Sequence, residues 1–287
     1  MQGLVMRRAQ TPPKDFRVIR TPPRIIVVAA PLVLADATQA QQALVADRPD
    51  FTEATSTVGR GVFQFEFGYT FGVDNEDEVT TLAHSYGEPL LRIGFLADQL
   101  EFRVGASAAT RSTESHGRTA TESGLEDLYL GVKLAFTGQR GLFPAISILP
   151  QITLATGSDV FSAGRSLPGV NFLYSWDFTG TVSLAGSTQV NAAVGDANQD
   201  YAEWAQSLSC GVALGERAGL YGEWYAFVPA GLDVPAGHAP ARSEHYLNSG
   251  LTWLASEDLQ WDIRVGTGLN DAAEDLYVGA GVVFRIR

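Results

Sequence analysis

From about residue 60 onward, segments in which apolar and polar residues alternate recur along the chain. The first is the clearest, because aromatic residues occupy every odd position from Phe63 to Phe71 while polar residues and glycines occupy the even ones. Successive side chains of a β-strand point to opposite faces. The pattern therefore predicts strands with one aromatic, apolar side and one polar, charged side.

Twelve such segments are predicted. Their approximate spans are 60–73, 79–95, 99–111, 124–137, 143–156, 168–178, 181–194, 202–215, 218–229, 243–255, 259–270 and 275–287. A tilted membrane-crossing strand needs about 9–11 residues within the hydrocarbon, and each span is long enough. The connections after even-numbered segments are tight, whereas those after odd-numbered segments are mostly longer and polar. Short turns at one end and long loops at the other are typical of an outer-membrane barrel whose turns are periplasmic.

The two parities, that is, the odd- and the even-numbered positions along each strand, also differ in charge. We predict an all-β, closed antiparallel transmembrane barrel in which the apolar parity faces lipid. The charged residues predicted to line its lumen are Glu66, Glu88, Arg92, Glu101, Arg103, Asp127, Lys133, Glu223, Asp262 and Arg264. A secreted soluble β-sandwich or lipocalin-like barrel would show the same alternation and is the alternative. Trp253 and Trp261 flank one tight turn, as an interfacial aromatic girdle requires, which favours lipid.

The N-terminal residues have the layout of a secretory signal peptide. A basic stretch precedes an apolar run at 25–35, and a small-x-small site follows at 35–37. We predict a signal peptide over residues 1–37, with cleavage as late as residue 43. Six basic and two acidic residues lie within 1–37, so the formal charge of −12 becomes −16 after processing. Such an acidic product is not expected to bind nucleic acid.

Residues 38–58 form a predicted N-terminal segment on the periplasmic side, followed by the barrel over residues 59–287. Within this segment Asp47, Arg48 and Asp50 place an arginine between two acids, and Pro49 stiffens the backbone. Two positions remain open for the segment. It either folds up into the lumen as a plug or lies across the barrel mouth as a periplasmic strap.

Several stretches resemble a known family. They are DRPDFTE at 47–53, GVFQFE at 61–66, EPLLRIG at 88–94, LEFRVG at 100–105, GLEDLYLGVK at 124–133 and GTGLND at 266–271. Together they resemble the Gram-negative family known as the MetA-pathway of phenol degradation, over about residues 46–287. The resemblance implies an outer-membrane barrel described as a transporter, with a mostly undefined substrate. Outer-membrane proteins usually end in an aromatic residue, whereas residues 284–287 read FRIR, a departure from the pattern.

The function predicted from the sequence is passive passage of small solutes, aromatic or hydrophobic ones included, through a narrow charged lumen. A twelve-strand barrel lies between filled eight-strand barrels and open porins of about 16–18 strands. The alternative is a non-conducting structural barrel whose charges satisfy one another. The four histidines show neither a Ser/His pairing nor metal-ligand spacing, so we predict no enzyme, catalytic residue, metal site or cofactor. The expected partners are outer-membrane lipid and lipopolysaccharide, the barrel-assembly machinery and a solute of unknown identity.

Overall fold

The structure, a computed structural model, describes residues 44–76, 78–195, 198–231 and 241–287. The predicted signal peptide, residues 1–37 with cleavage as late as 43, lies outside the described residues. Residues 38–43 of the predicted N-terminal segment also lie outside them. In the described ranges there is no helix long and apolar enough to cross a membrane.

The described residues contain fourteen β-strands in one antiparallel sheet. In chain order these are β1 (Phe63–Glu76), β2 (Val79–Gly94), β3 (Leu100–Gly105), β4 (Ala108–Ser115), β5 (Arg118–Leu125), β6 (Leu128–Thr137), β7 (Ala145–Leu154), β8 (Leu167–Asp177), β9 (Val182–Val194), β10 (Asp200–Leu214), β11 (Ala218–Ala230), β12 (Glu244–Ser256), β13 (Leu259–Gly268) and β14 (Leu276–Ile286). β3 and β4 both pair with β2 and form two halves of one crossing strand. β5 and β6 pair with β4 and β3, respectively, and form two halves of the next crossing strand. The sheet therefore crosses twelve times.

β1 closes the sheet by pairing with both β2 and β14. Its register with β14 runs from Phe63 opposite Ile286 to Val73 opposite Leu276. Because the barrel is closed, every membrane-crossing strand has a hydrogen-bonded neighbour on both sides. Such pairing is required in lipid, which offers the backbone no hydrogen-bond partners. The predicted closed antiparallel barrel of about twelve strands is confirmed.

The exposed and buried faces follow the predicted parities. In β1 the Phe63 side chain is 42% exposed, whereas Glu66 is 0% exposed. Trp253 and Trp261 are register partners on β12 and β13, and both are exposed. A soluble protein would bury so large an apolar face. The prediction of an outer-membrane barrel is confirmed, and the soluble alternative is not supported.

One outer connection differs from the prediction. Residues 112–123, expected to form a loop, belong to the β4–β5 hairpin, which turns at residues 116–117. The hydroxyl oxygens of Ser112 and Thr121 lie 3.0 Å apart across this hairpin. Polar residues occupy both parities here, so the hairpin lacks the alternation by which the other strands were predicted.

A bulge in β2 changes which parity faces inward. Gly87 and Glu88 have φ angles of 76° and 36°. Ser85 is buried before the bulge, and Glu88 and Arg92 are buried after it. A positive φ is uncommon for a non-glycine residue, so Glu88 carries a local conformational cost. The bulge brings the Glu88 carboxylate into the barrel interior.

Arginine substitutions on the exposed face should destabilise the barrel according to depth. Leu208 lies midway along β10, and Val182 lies at the turn end of β9. We expect Leu208→Arg to lower the free energy of unfolding by about 2–4 kcal/mol and Val182→Arg by about 0–1 kcal/mol. Urea unfolding of the protein in lipid vesicles measures both. Equal effects of the two substitutions would contradict the proposed membrane depth of these positions.

Candidate functional site in the barrel lumen

Residues 44–58, here called the lumen segment, lie inside the barrel. Near one end, the Val45 carbonyl accepts a hydrogen bond from Arg92 Nη1 at 3.0 Å. Near the other, the Val58 N–H donates to Glu101 at 2.8 Å. Between them, Phe51 reaches Tyr225 in the middle of β11. The segment therefore enters and leaves at the barrel end with the short turns.

Three buried cations of the wall surround Asp47 of the lumen segment. Arg92, Arg103 and Lys133, here called the cationic cluster, are each 0% exposed. Asp47 Oδ2 lies 3.3 Å from Arg92 Nη1 and also pairs with Arg103 Nη2. Asp47 Oδ1 lies 3.4 Å from Lys133 Nζ. Both carboxylate oxygens are thus bound to positive charge.

Three further carboxylates complete the charge balance of the cationic cluster. Glu101 lies 2.9 Å from Arg92 Nε and 3.4 Å from Arg103 Nε. Glu66 lies 3.1 Å from Arg92, and Glu53 of the lumen segment lies 2.9 Å from Arg103. Since buried charges are tolerated only when paired, the wall and the lumen segment depend on one another here.

Arg48 of the lumen segment binds acids on another part of the wall. Its guanidinium lies 2.6 Å from Glu88 and 3.4 Å from Asp262. Arg264 lies 3.8 Å from Glu88 and donates to the Pro49 carbonyl at 3.0 Å. The β2 bulge thus presents a carboxylate to the lumen segment.

Two glycines make room for the Arg48 guanidinium. Gly68 on β1 and Gly281 on β14 are register partners. A Cβ built on either would lie 2.3 Å from an Arg48 side-chain atom. The strand pair that closes the barrel therefore also provides the space for Arg48.

Wall carboxylates also accept hydrogen bonds from backbone N–H groups of the lumen segment. Glu223 on β11 accepts from the Phe51 and Thr52 N–H groups at 2.7 and 2.6 Å. Glu66 accepts from the Asp47 and Arg48 N–H groups, each at 3.1 Å. These contacts satisfy amides that would otherwise be buried without partners, an arrangement that holds the backbone as well as the side chains.

The turn of the lumen segment packs into an aromatic cluster. The Phe51 ring stacks on Tyr225 with centroids 4.7 Å apart and meets Phe227 edge-on at 5.4 Å. Tyr225 also stacks on Tyr246 at 4.8 Å, and its hydroxyl donates to Tyr277 at 2.9 Å. This cluster lies on β11, β12 and β14.

Most of the predicted lumen residues lie together around the lumen segment. Those at most 6% exposed are Glu66, Glu88, Arg92, Glu101, Arg103, Lys133, Glu223 and Asp262. Arg264 contacts Pro49, as described above. Asp50 of the lumen segment accepts a hydrogen bond from Ser209 on β10 at 3.2 Å.

Asp127 lies elsewhere. It sits between β5 and β6, and its carboxylate accepts hydrogen bonds from the Thr156, Gly157 and Ala163 N–H groups at 2.9–3.0 Å. Asp127 therefore anchors the β7–β8 connection and does not contact the lumen segment in these hydrogen bonds.

Glu53 and the aromatic cluster were not predicted from the sequence. Tyr225 and Phe227 share parity with Glu223, which was assigned to the lumen, so their inward position could have been inferred from β11 alone. Glu53 precedes the strands, where alternation gives no information. No group of three or more His, Cys, Asp or Glu side chains placed to hold a metal ion is found in the described parts of the chain.

At the outer end of the barrel, Glu274 lies in the β13–β14 connection. Burial, reinforced by the nearby Asp74 carboxylate, raises the pKa of Glu274 to about 8. Its side chain is therefore mostly neutral at pH 7, which lowers the negative charge at this rim.

Filling the space beside Arg48 should disturb the lumen segment without removing a charge. Gly281→Val should lower the free energy of unfolding by about 1–3 kcal/mol, because the added atoms overlap the Arg48 guanidinium and approach the Phe67 carbonyl oxygen. The control is Gly222→Val, since a Cβ at Gly222 meets nothing within 4 Å. Urea unfolding measures both. A Gly281 variant as stable as the Gly222 variant would contradict the position of Arg48.

Comparisons with known proteins agree with this architecture. The structure is similar to the COG4313 outer membrane channel from Pseudomonas putida F1, with a TM-score of 0.67 and 10% identity, covering 81% of this chain and 98% of that one. It is also similar to the transport unit of the autotransporter AIDA-I from Escherichia coli, with a TM-score of 0.51 and 10% identity, covering 79% of this chain and 90% of that one. At these identities the likeness shows the barrel fold.

Sequence comparisons identify the family. No curated protein sequence matches the chain. The model of the family described as "Putative MetA-pathway of phenol degradation" matches residues 46–286. The resemblance inferred from the short stretches is thereby confirmed, and the chain belongs to this family.

Proposed function

We propose that this protein is a passive outer-membrane channel for small solutes, and that the lumen segment is its plug. The observation that carries the proposal is that the segment contacts opposite parts of the wall at once. Asp47 pairs with Arg103 on β3, while the Thr52 hydroxyl lies 2.7 Å from the Ser207 hydroxyl on β10. A segment that bridges the lumen in this way obstructs passage at that level.

The contacts that hold the plug are suited to reversible displacement. They are ion pairs and hydrogen bonds to wall groups that water or a solute can also satisfy. The turn around Phe51 and Thr52 is held by hydrogen bonds to Glu223 and Ser207, each worth about 0.5–3 kcal/mol net, so its release costs less than withdrawal of Asp47 from the buried cations. We infer that solutes pass when the turn around Phe51 moves away from β10 and β11.

The aromatic cluster is the observation that favours aromatic or hydrophobic solutes as the cargo. Phe51, Tyr225 and Tyr246 form a stack with centroid distances of 4.7 and 4.8 Å. Stacked and edge-on rings at such distances attract one another beyond their burial. A solute ring that enters the lumen would find the same contacts once Phe51 has moved.

A non-conducting structural barrel is the second candidate. The observation that favours it is the dense pairing of the lumen charges, which could serve only to fill the interior. The two candidates differ in one respect, namely whether the lumen segment has to move for the protein to work.

A reversible crosslink tests the proposal. Thr52 and Ser207 are replaced together by cysteine in a Cys210→Ser background, which removes the single cysteine of the chain. Because the hydroxyl oxygens they replace are 2.7 Å apart, the two sulfurs can form a disulfide. We expect oxidation to abolish solute flux into proteoliposomes and reduction to restore it. The two single-cysteine variants should show no redox effect.

Each result of the crosslinking experiment discriminates. Flux that is lost on oxidation and regained on reduction supports a plug that must move. Flux that is equal in both states overturns the gating role of the segment. The absence of flux from the reduced variant and from the unmodified chain supports the structural barrel.

A further inference from the structure

The charge balance of the cationic cluster depends on the lumen segment. The wall itself supplies three cations and only two carboxylates, those of Glu66 and Glu101. The other two carboxylates, those of Asp47 and Glu53, belong to the segment. When the segment leaves, this part of the wall changes from an excess of one negative charge to an excess of one positive charge.

An uncompensated charge at this place is costly. All three cations are 0% exposed, and Lys133 contacts the Ala54 carbonyl as well as Asp47. Removing one partner of a buried pair leaves the other charge desolvated and unpaired. Water that enters the opened lumen relieves part of this cost, and an anion relieves more.

The geometry around Asp47 is that of a carboxylate site. One oxygen is approached by two guanidinium groups, those of Arg92 and Arg103. The other lies 3.4 Å from Lys133 Nζ and accepts a hydrogen bond from the Ala54 N–H at 2.8 Å. Hydrogen bonds from guanidinium and ammonium groups to a carboxylate are charge-assisted and are stronger than those between neutral groups.

A neighbouring part of the wall, formed by Glu88 on β2 and by Asp262 and Arg264 on β13, responds in the reverse sense. Glu88 and Asp262 are balanced by Arg264 and by Arg48 of the lumen segment. Loss of Arg48 leaves that part with an excess of one negative charge. An anion in the opened lumen is therefore attracted to the cationic cluster and repelled by the neighbouring carboxylates of Glu88 and Asp262.

We propose that the cationic cluster is a binding site for the carboxylate group of the solute, and that Asp47 occupies it as a stand-in when the barrel is closed. A carboxylate solute and the lumen segment then compete for the same three cations. The role in transport rests on the proposed channel function, whereas the site itself can be tested without any flux.

Chemical rescue of an Asp47→Ala variant tests the site. This change removes the stand-in carboxylate and leaves space for a small one, with formate as the probe. Thermal unfolding is followed by heat-modifiable gel mobility at pH 7, in sodium formate or in sodium chloride of equal ionic strength. We expect formate at saturation to raise the Tm of Asp47→Ala by about 5 °C relative to chloride, because a bound ligand stabilises the folded state.

Two controls separate a specific site from a general salt effect. The unmodified chain and the Asp47→Asn variant, in which the space is filled by an uncharged group, should show the same Tm in formate and chloride. A formate effect that is equal in Asp47→Ala and Asp47→Asn would overturn the proposal. Equal Tm values of Asp47→Ala in the two salts would overturn it as well.

If Asp47→Ala refolds poorly, the refolded fraction becomes the readout. Recovery in formate that exceeds recovery in chloride supports the site, and equal recovery contradicts it. The measurement also keeps the two proposals apart. If formate binds but no solute passes, the proposed carboxylate site stands and the proposed channel function fails. If solutes pass but formate does not rescue Asp47→Ala, the channel function stands and the carboxylate site fails.

Discussion

The pairing of β1 with β14 is the interaction on which the rest of the structure depends. It runs over eleven register partners, from Phe63 opposite Ile286 to Val73 opposite Leu276. Without it, two strand edges would lie open in lipid, where each unsatisfied backbone group costs several kcal/mol. Closure also divides the side chains into two sets, because one parity then meets hydrocarbon and the other meets an enclosed interior.

The enclosed interior carries many charges, and their pairing explains the position of the lumen segment. Arg92, Arg103 and Lys133 are completely buried, and the wall has too few acids to neutralise them. The segment supplies Asp47 and Glu53 to these cations, and Arg48 to the carboxylates of Glu88 and Asp262. Because ion pairs of this kind recover little more than their desolvation cost, they position the segment more than they add to stability. Held in this way, the segment bridges the lumen, as the proposed plug requires.

Much of the fold could be predicted from the sequence, because a membrane barrel requires apolar and polar residues to alternate along each strand. It also requires short and long connections to alternate along the chain. The parity rule assigned Glu66, Arg103 and Glu223 to the interior without knowledge of any contact. The parity rule could not predict the β4–β5 hairpin, because polar residues occupy both the odd and the even positions there. The bulge at Gly87 and Glu88 could not be predicted either, since a local change of φ does not alter the periodicity of the sequence.

The arrangement of the candidate site was less predictable. The sequence suggested a plug or a strap at Asp47, Arg48 and Asp50, but it could not choose between them. That choice depends on charge pairs such as Asp47 with Lys133, which are 86 residues apart in the chain. It also depends on the space between Gly68 and Gly281, which exists only once β1 has paired with β14. Asp127, assigned by parity to the lumen, instead holds a connection, because its strand is interrupted beside it.

Single-channel conductance of a chain that lacks residues 44–57 tests the central claim most directly. The claim is that the lumen segment obstructs a barrel that would otherwise conduct. The shortened barrel should show a larger and steadier conductance than the full chain in planar bilayers. A control deletion of the ten residues 112–121, which shortens the exposed β4–β5 hairpin, should leave the conductance unchanged. A shortened barrel that conducts no more than the full chain would contradict the claim.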